Sequence, residues 1–514
     1  MSDEPLSAAD LRSAAVRGLR WTVISRPACE IVLFGSMIVL ARLVAPAEFG
    51  RYAVALVVTQ LLVVPSAGVG TALVQRPKGG ERGYVETGFA MCLIIAAVLS
   101  VLTFLAAELI VAPVWGSRTA ELVLFLGLAI PMSAPSTVCA SLLSRRLAFR
   151  RLNVVQLVST IVSAAGQVGL ALAGLNAMAL VLGGLAGGLV GTIMMWIFAP
   201  LPLPRLRLPI ARDLWSYGWA AALAAISWAG FNNCDYAIVG ARLGAAQAGF
   251  YFRAYTLGVE YQRKISQVLP TMGFPLLARA GGADDRDALF RRMVRLMTLI
   301  VFPGLAFLAI LAPVVIPIVY GPQWLAAIGP TQIIVVAGAA TIVIDAGGAA
   351  LMASGRSRPL MGFGWSHFAV YATAVFIVAP LGIEAVAAAA VVVHSTFMVV
   401  SYATVLCHSD HGPVKKVVHA LNYLVHDLGP SLVGCAALAG AALSVQIIAS
   451  DAGAPRFIRV ATMVAAGLIA YLGALRVVYP GSFQSLRKIV VHVLPKRSLP
   501  RLGRRLTPAA PPGS

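Results

Sequence analysis

The sequence predicts an all-α polytopic membrane protein of about fourteen transmembrane helices, with two six-helix lobes around a central cavity and two further C-terminal helices. Three observations lead there. Hydrophobic residues fill 59% of the 514 positions and charged residues 12%, against about 25% charged in soluble domains. Apolar runs of about 20 residues, the length that spans a bilayer, recur along the whole chain. A weak internal similarity at a spacing of about 200 residues divides those runs into halves.

Taken in order, residues 1–20 (MSDEPLSAADLRSAAVRGLR) are polar and basic and read as a cytoplasmic segment. The apolar run after them is long and carries no small-residue cleavage pattern, so no cleaved leader is expected. Spans 1 to 6, near 21–43, 52–74, 87–111, 119–143, 153–175 and 177–198, make the first lobe, residues 21–199. The stretch PLPLPRLRLP interrupts helix through its prolines, and residues 200–212 form the inter-lobe linker. Spans 7 to 12, near 215–239, 248–278, 293–319, 326–352, 359–379 and 382–406, make the second lobe, residues 213–407. A cytoplasmic loop at 408–427, spans 13 and 14 within 428–478, and a basic tail at 479–514 complete the chain. That tail suits an anionic lipid surface.

Net charge is +20, which in a soluble protein would suggest nucleic acid. Here the basic residues sit in alternate loops: Arg76, Lys78 and Arg82, then Arg145, Arg146, Arg150 and Arg151, then Arg205, Arg207 and Arg212. The positive-inside rule places that side, and both termini, in the cytoplasm. No nucleic-acid partner is expected. The six cysteines are scattered through apolar spans and read as packing residues.

The halves echo each other at ARLVAPAEFGRY (41–52) and ARLGAAQAGFYF (241–252), and more loosely at SLLSRRLAF (141–149) and MASGRSRPL (352–360). Six spans separate equivalent points. Because six is even, both halves cross the membrane in one direction, as parallel repeats about an axis along the membrane normal.

Charge inside the spans carries the functional signal. Span 8, GFYFRAYTLGVEYQRKISQVLPTMGFPLLAR, places Arg253, Glu260, Lys264, Gln267 and Thr271 in a sector of roughly 80° at about 100° per residue, with Arg263 off that stripe. An ionisable side chain at mid-bilayer costs about 2.5–3.5 kcal/mol, so such a stripe faces protein or a water-filled lumen. Arg26 and Glu30 lie one turn apart on span 1, as a self-neutralising pair near the interface or as a cavity-facing pair that approaches Arg253 across the lobes. Arg42 and Arg242, at repeat-related ends, read as interfacial anchors.

Span 7 gathers Asn232, Asn233, Asp235 and Tyr236. Asp235 needs a counter-charge: a salt bridge with Arg253, or a coupling ion or proton, and the same alternatives hold for Asp345 in span 10. Gln156, Thr160, Ser163 and Gln167 recur at helical spacing on span 5, lining a wet cavity or bonding between helices. The overlapping GxxxG of Gly183, Gly187 and Gly191 signals close helix packing. His408, Asp410, His411, His419 and His426 match no closed zinc spacing, so no metal is expected. Neither nucleotide loop nor catalytic constellation emerges, so an enzyme and a cofactor are not expected.

At LRWTVISRP, IVLARLVAPAEFGRYAVA and GVGTALVQR, and again along span 8 and YGPQWLAAIGP, the chain resembles the Wzx-type oligosaccharide flippases of the polysaccharide biosynthesis family, in the MOP superfamily. It departs at Ser66-Ala67, where many relatives carry an acid. The resemblance implies alternating access and movement of a polyprenyl-diphosphate-linked oligosaccharide to the outer leaflet of a bacterial inner membrane, for exopolysaccharide, capsule or O-antigen synthesis. Arg26, Arg253 and Lys264 would meet the diphosphate, with Glu30 and Glu260 as neighbouring counter-charges. Asn232, Asn233, Gln156 and Gln167 would bond sugar hydroxyls, and the prenyl tail would stay in lipid between helices 1 and 8. A proton or sodium ion, membrane lipids, and polysaccharide polymerase or export machinery are candidate partners. A MurJ-like flippase of cell-wall lipid precursors or an ion-coupled drug exporter of the same superfamily is the alternative; a membrane polymerase would need a larger outer loop than any here.

Overall fold

The computed structural model describes residues 8–63, 65–76, 81–260, 262–263, 282–354, 356–406, 413–451 and 455–493. In the first half α1 is Ala8–Leu43, and α2 comprises Pro46–Val63 and Pro65–Gln75. Next, α3 runs Arg82–Ala106 and on through a wide turn at Ala107–Val111; α4 comprises Ser117–Gly127 and Ala129–Arg145; α5 is Phe149–Leu172 and α6 Asn176–Phe198. In the second half α7 is Leu208–Leu243, and α8 runs Ala245–Tyr255 and on through a wide turn at Thr256–Glu260. Then come α9 (Ala283–Val319), α10 (Ile328–Ala353), α11 (Ser357–Val378) and α12 (Ile383–Leu406). Beyond them, α13 is Pro413–Asp451, α14 Arg456–Val478 and α15 Pro480–Val493. Thirteen of the fourteen expected spans fall on these helices, as does the described start of the eighth, whose remainder lies outside the described residues, and ten helical stretches among the described residues are long and apolar enough to cross a membrane. Helices are what lipid demands, since each backbone polar group must find its partner within the segment.

Helix ends depart from the sequence expectation in one direction: helices outrun the apolar stretch. Residues 413–427, expected in a loop, form the first turns of α13, and 208–212, expected in the linker, open α7. Residues 480–493, expected in the tail, form α15. Hydropathy marks where a helix leaves the bilayer core, whereas backbone hydrogen bonding continues in the interface; Pro413 also suits a first helical turn.

Each half packs as its own bundle. In the first, α5 lies against α1 and α6, and α4 against α3 and α2; in the second, α10 lies against α12 and α9, and α11 against α7. The α5–α6 contact is close because Gly187 sits against Ser163, whose Cβ would be 2.7 Å from an added methyl. α13 is tied to α9 by a charge cluster. Asp427, fully buried, accepts from Arg291 Nε and Nη2 at 2.7 and 3.0 Å and from Arg295 Nη2 at 2.7 Å. Asp427→Ala is expected to lower stability by about 1.5–3 kcal/mol, the worth of a hydrogen bond to a charged group, because both arginines keep partial access to water. Thermal unfolding of the purified protein checks it.

Candidate functional site

The lobes meet along a seam that is tightest at the end opposite the basic α4–α5 and α6–α7 loops. There α2 crosses α8 backbone to backbone. A methyl on Gly50 would strike the Ala245 carbonyl, and one on Gly249 would strike that of Pro46. Residues 46 and 245, and 50 and 249, are equally spaced along the chain, so the crossing has the two-fold character expected of parallel repeats. Further along, Gly68 and Gly218 bring α2 against α7, with a Gly218 methyl 2.8 Å from the Gly68 carbonyl. Near that contact Arg76 pairs with Asp213 at 3.0 Å and donates to Ser216 Oγ at 3.0 Å.

Two indoles cross the seam at the tight end. Trp115, in the α3–α4 turn, donates Nε1–H to the Ala237 carbonyl of α7 at 2.9 Å. Trp324, in the α9–α10 turn, donates to the Ala41 carbonyl of α1 at 2.8 Å. Gly321, at φ 104°, makes the bend that lifts Trp324 into place. Arg42 donates to the Ile318 and Val319 carbonyls at 2.5 and 3.1 Å, capping α9 from the other lobe.

Arg253 lies directly beneath this closure and is fully buried. Its guanidinium carbon is 4.5 Å from the ring centre of Phe49, which belongs to the first lobe, and 5.1, 5.2 and 5.9 Å from those of Tyr320, Trp324 and Phe252. Such stacking is worth about 2 kcal/mol or more when desolvated. It is therefore sheathed, and does not face an open lumen in this conformation.

Asp235 does not pair with Arg253, contrary to the salt-bridge alternative. Also fully buried, it accepts from Tyr371 Oη at 2.8 Å and from the Tyr236 N–H at 3.0 Å, and Tyr371 Oη lies 3.2 Å from Tyr251 Oη. Two histidines absent from the sequence analysis complete the cluster. His394 packs 4.9 Å from Tyr371, and His367 4.0 Å from Phe231, both imidazoles being buried. The signal available was a lone imidazole in each of two apolar spans.

Arg263, placed off the stripe by helical projection, is a central cation. Its Nη1 donates to Asn232 Oδ1 at 2.5 Å, and its Nε lies 3.4 Å from Asp345 Oδ2. The wide turn at Thr256–Glu260 adds a residue to the helix between Arg253 and Arg263 and turns the two side chains further apart, by about 100°. Arg253 and Arg263 meet different neighbours, in keeping with Arg263 lying off the stripe. Lys264, Gln267 and Thr271 lie outside the described residues.

Among the remaining candidates, Arg26 is exposed and Glu30 and Glu260 are half-buried. Gln167 Nε2 donates to the Leu180 carbonyl at 3.1 Å and Gln156 Nε2 to Thr160 Oγ1 at 3.3 Å, so both amides serve helix bonding here. Asn233 donates to the Ala229 carbonyl of its own helix at 2.8 Å. The structure thus brings Asn232 and Asp345 together around Arg263, keeps Arg253 apart from them, and leaves Arg26 elsewhere on α1.

Two related helical bundles of long apolar helices, meeting at a seam that holds buried charge, define an all-α polytopic membrane protein. In solved structures the lipid II flippase MurJ in an inward closed conformation aligns with a TM-score of 0.64 at 13% identity, over 91% of this chain and 99% of that one. An inward-facing multidrug resistance MATE family transporter of the MOP superfamily aligns with a TM-score of 0.59 at 13% identity, over 77% and 96%. Residues 39–329 match the polysaccharide biosynthesis protein family, and the chain belongs to it. It is 27% identical to the lipopolysaccharide biosynthesis protein WzxC of Escherichia coli over 63% of this chain and 67% of that protein. Against the succinoglycan biosynthesis transport protein ExoT of Rhizobium meliloti it is 28% identical, over 60% and 63%. The alignments thus span about two thirds of these relatives.

Proposed function

We propose that the protein flips a polyprenyl-diphosphate-linked oligosaccharide from the cytoplasmic to the outer leaflet of a bacterial inner membrane by alternating access, for exopolysaccharide, capsule or O-antigen synthesis. In this reading the basic loops and both termini are cytoplasmic, and the tight end of the seam faces outward. The observation that carries it is Arg253, a cation buried between lobes of a chain in a polysaccharide biosynthesis family. Separating the lobes would withdraw Phe49 and offer the guanidinium to a diphosphate; Arg26 and Lys264 are further cationic candidates. Two negative charges moving outward down an inside-negative potential gain about 2.3 kcal/mol each per 100 mV, which supplies a driving force without a second ion.

Where an ion does couple, Asp235 is the stronger candidate, since Asp345 already has Arg263 as counter-charge. Deletion of the protein followed by analysis of cell-envelope lipids tests the function. Diphosphate-linked repeat units are expected to accumulate on the cytoplasmic leaflet with loss of surface polysaccharide. An unchanged lipid pool with altered drug resistance would instead assign the chain to drug export.

A further inference from the structure

We propose that Trp115 and Trp324 form a two-fold related pair of latches that hold the lobes shut at their outward end, and that only the Trp324 latch guards a cation, Arg253. Each indole reaches from the turn after the third helix of its half to the first helix of the other half: Trp115 to Ala237 at 2.9 Å and Trp324 to Ala41 at 2.8 Å. The Ala41 carbonyl lies in the last turn of α1, where helix geometry leaves acceptors unfilled, and it also accepts from Gln323 Nε2 at 2.5 Å. Between the latches lies the Gly50–Gly249 crossing, a backbone contact with no side chain to interlock. Separation there must also break the Arg42 bonds to the Ile318 and Val319 carbonyls and the stacking of Arg253 on Phe49, and the indole bonds add to these, so the loss of either shifts the equilibrium toward the parted state.

The register of the crossing makes the asymmetry visible. Val54 stands in the first lobe where Arg253 stands in the second, one turn beyond the crossing glycine. An added methyl on Gly240 of α7 would be 2.6 Å from Val54 Cγ2 and 3.2 Å from Trp115 Cδ1, so that latch covers a valine. The other covers Arg253, with Phe49 and Trp324 in edge contact at 5.4 Å. An anion that reaches Arg253 only after the lobes part favours the parted state by its differential affinity. Resting on the transport reading for the nature of that anion, this makes the diphosphate of the cargo the ligand that holds the outward gate open.

The test measures lobe separation, which is independent of whether transport occurs. In a chain whose six native cysteines are replaced, spin labels at Ala173→Cys and Leu381→Cys report the distance between the outward loops of the two lobes. Trp115→Phe and Trp324→Phe keep the ring and remove the N–H; each should raise the ratio of long to short distances about fivefold, and the double variant should exceed either. Gly249→Ala, which wedges the crossing, should give the same lengthening if a tryptophan variant fails to fold. Inorganic pyrophosphate should lengthen the distance in Trp324→Phe and have no effect once Arg253→Met is added. An unchanged distribution in the double variant and in Gly249→Ala overturns the latch, and an equal pyrophosphate response without Arg253 overturns its guarded cation. Lipid analysis after deletion decides the flippase reading separately.

Discussion

Replacing Arg253 by methionine is expected to reduce surface polysaccharide at least about tenfold while leaving the protein folded and inserted. Methionine fills much of the same volume and its thioether packs well against the surrounding aromatic rings, so the cage of Phe49, Phe252, Tyr320 and Trp324 keeps a tenant. What disappears is the charge, and a charge-assisted bond to a phosphate is worth about 1.5–3 kcal/mol, or roughly 10- to 100-fold. Arg253→Lys should fall between, because ammonium retains the charge and lacks the planar stacking surface. Reversal to glutamate is a poorer test, since a carboxylate against aromatic faces would disturb folding itself. Polysaccharide measured alongside protein level in the membrane separates the outcomes; full polysaccharide in Arg253→Met would remove the residue from the substrate path.

The second large effect is expected at Arg263. Arg263→Met should strand Asp345 and cost about 3 kcal/mol, the lower end of the range for breaking a buried pair, because Asp345 keeps 24% exposure. Asp345→Asn in the same chain should recover most of that loss. A double-mutant cycle on unfolding in detergent measures the coupling, and additive losses would show that the two charges do not support each other. Loss of transport in the stable double variant would add a substrate or coupling role to the structural one.

Much of the architecture was legible because bilayer thickness imposes it. Spans such as Asn176–Phe198 announce themselves by apolar length alone, and the parallel relation of the halves came from two short strings and an even count of crossings. Features that depend on distant partners were not legible. Tyr371 reaches Asp235 across 136 residues of sequence, and nothing in the local pattern of either span names the other. The surroundings of Arg263 were not legible either: the projection set it off the Arg253 stripe, but its partners Asn232 and Asp345 stand on other helices. Arg253 itself stood out as an anomaly against hydropathy, whereas its aromatic cage required the first lobe to deliver Phe49.

The charge cluster around Asp427 has a mechanical consequence. By fastening α13 to α9, it adds α13, its partner α14 and the attached α15 to the second lobe as ballast, so that in the alternating access proposed above nine helices would rock against six. In a viscous bilayer the wider body turns less for a given torque. The first lobe would therefore sweep the larger arc, carrying Phe49 away from a comparatively stationary Arg253, and lipids beside α1 would be displaced more than those beside α14.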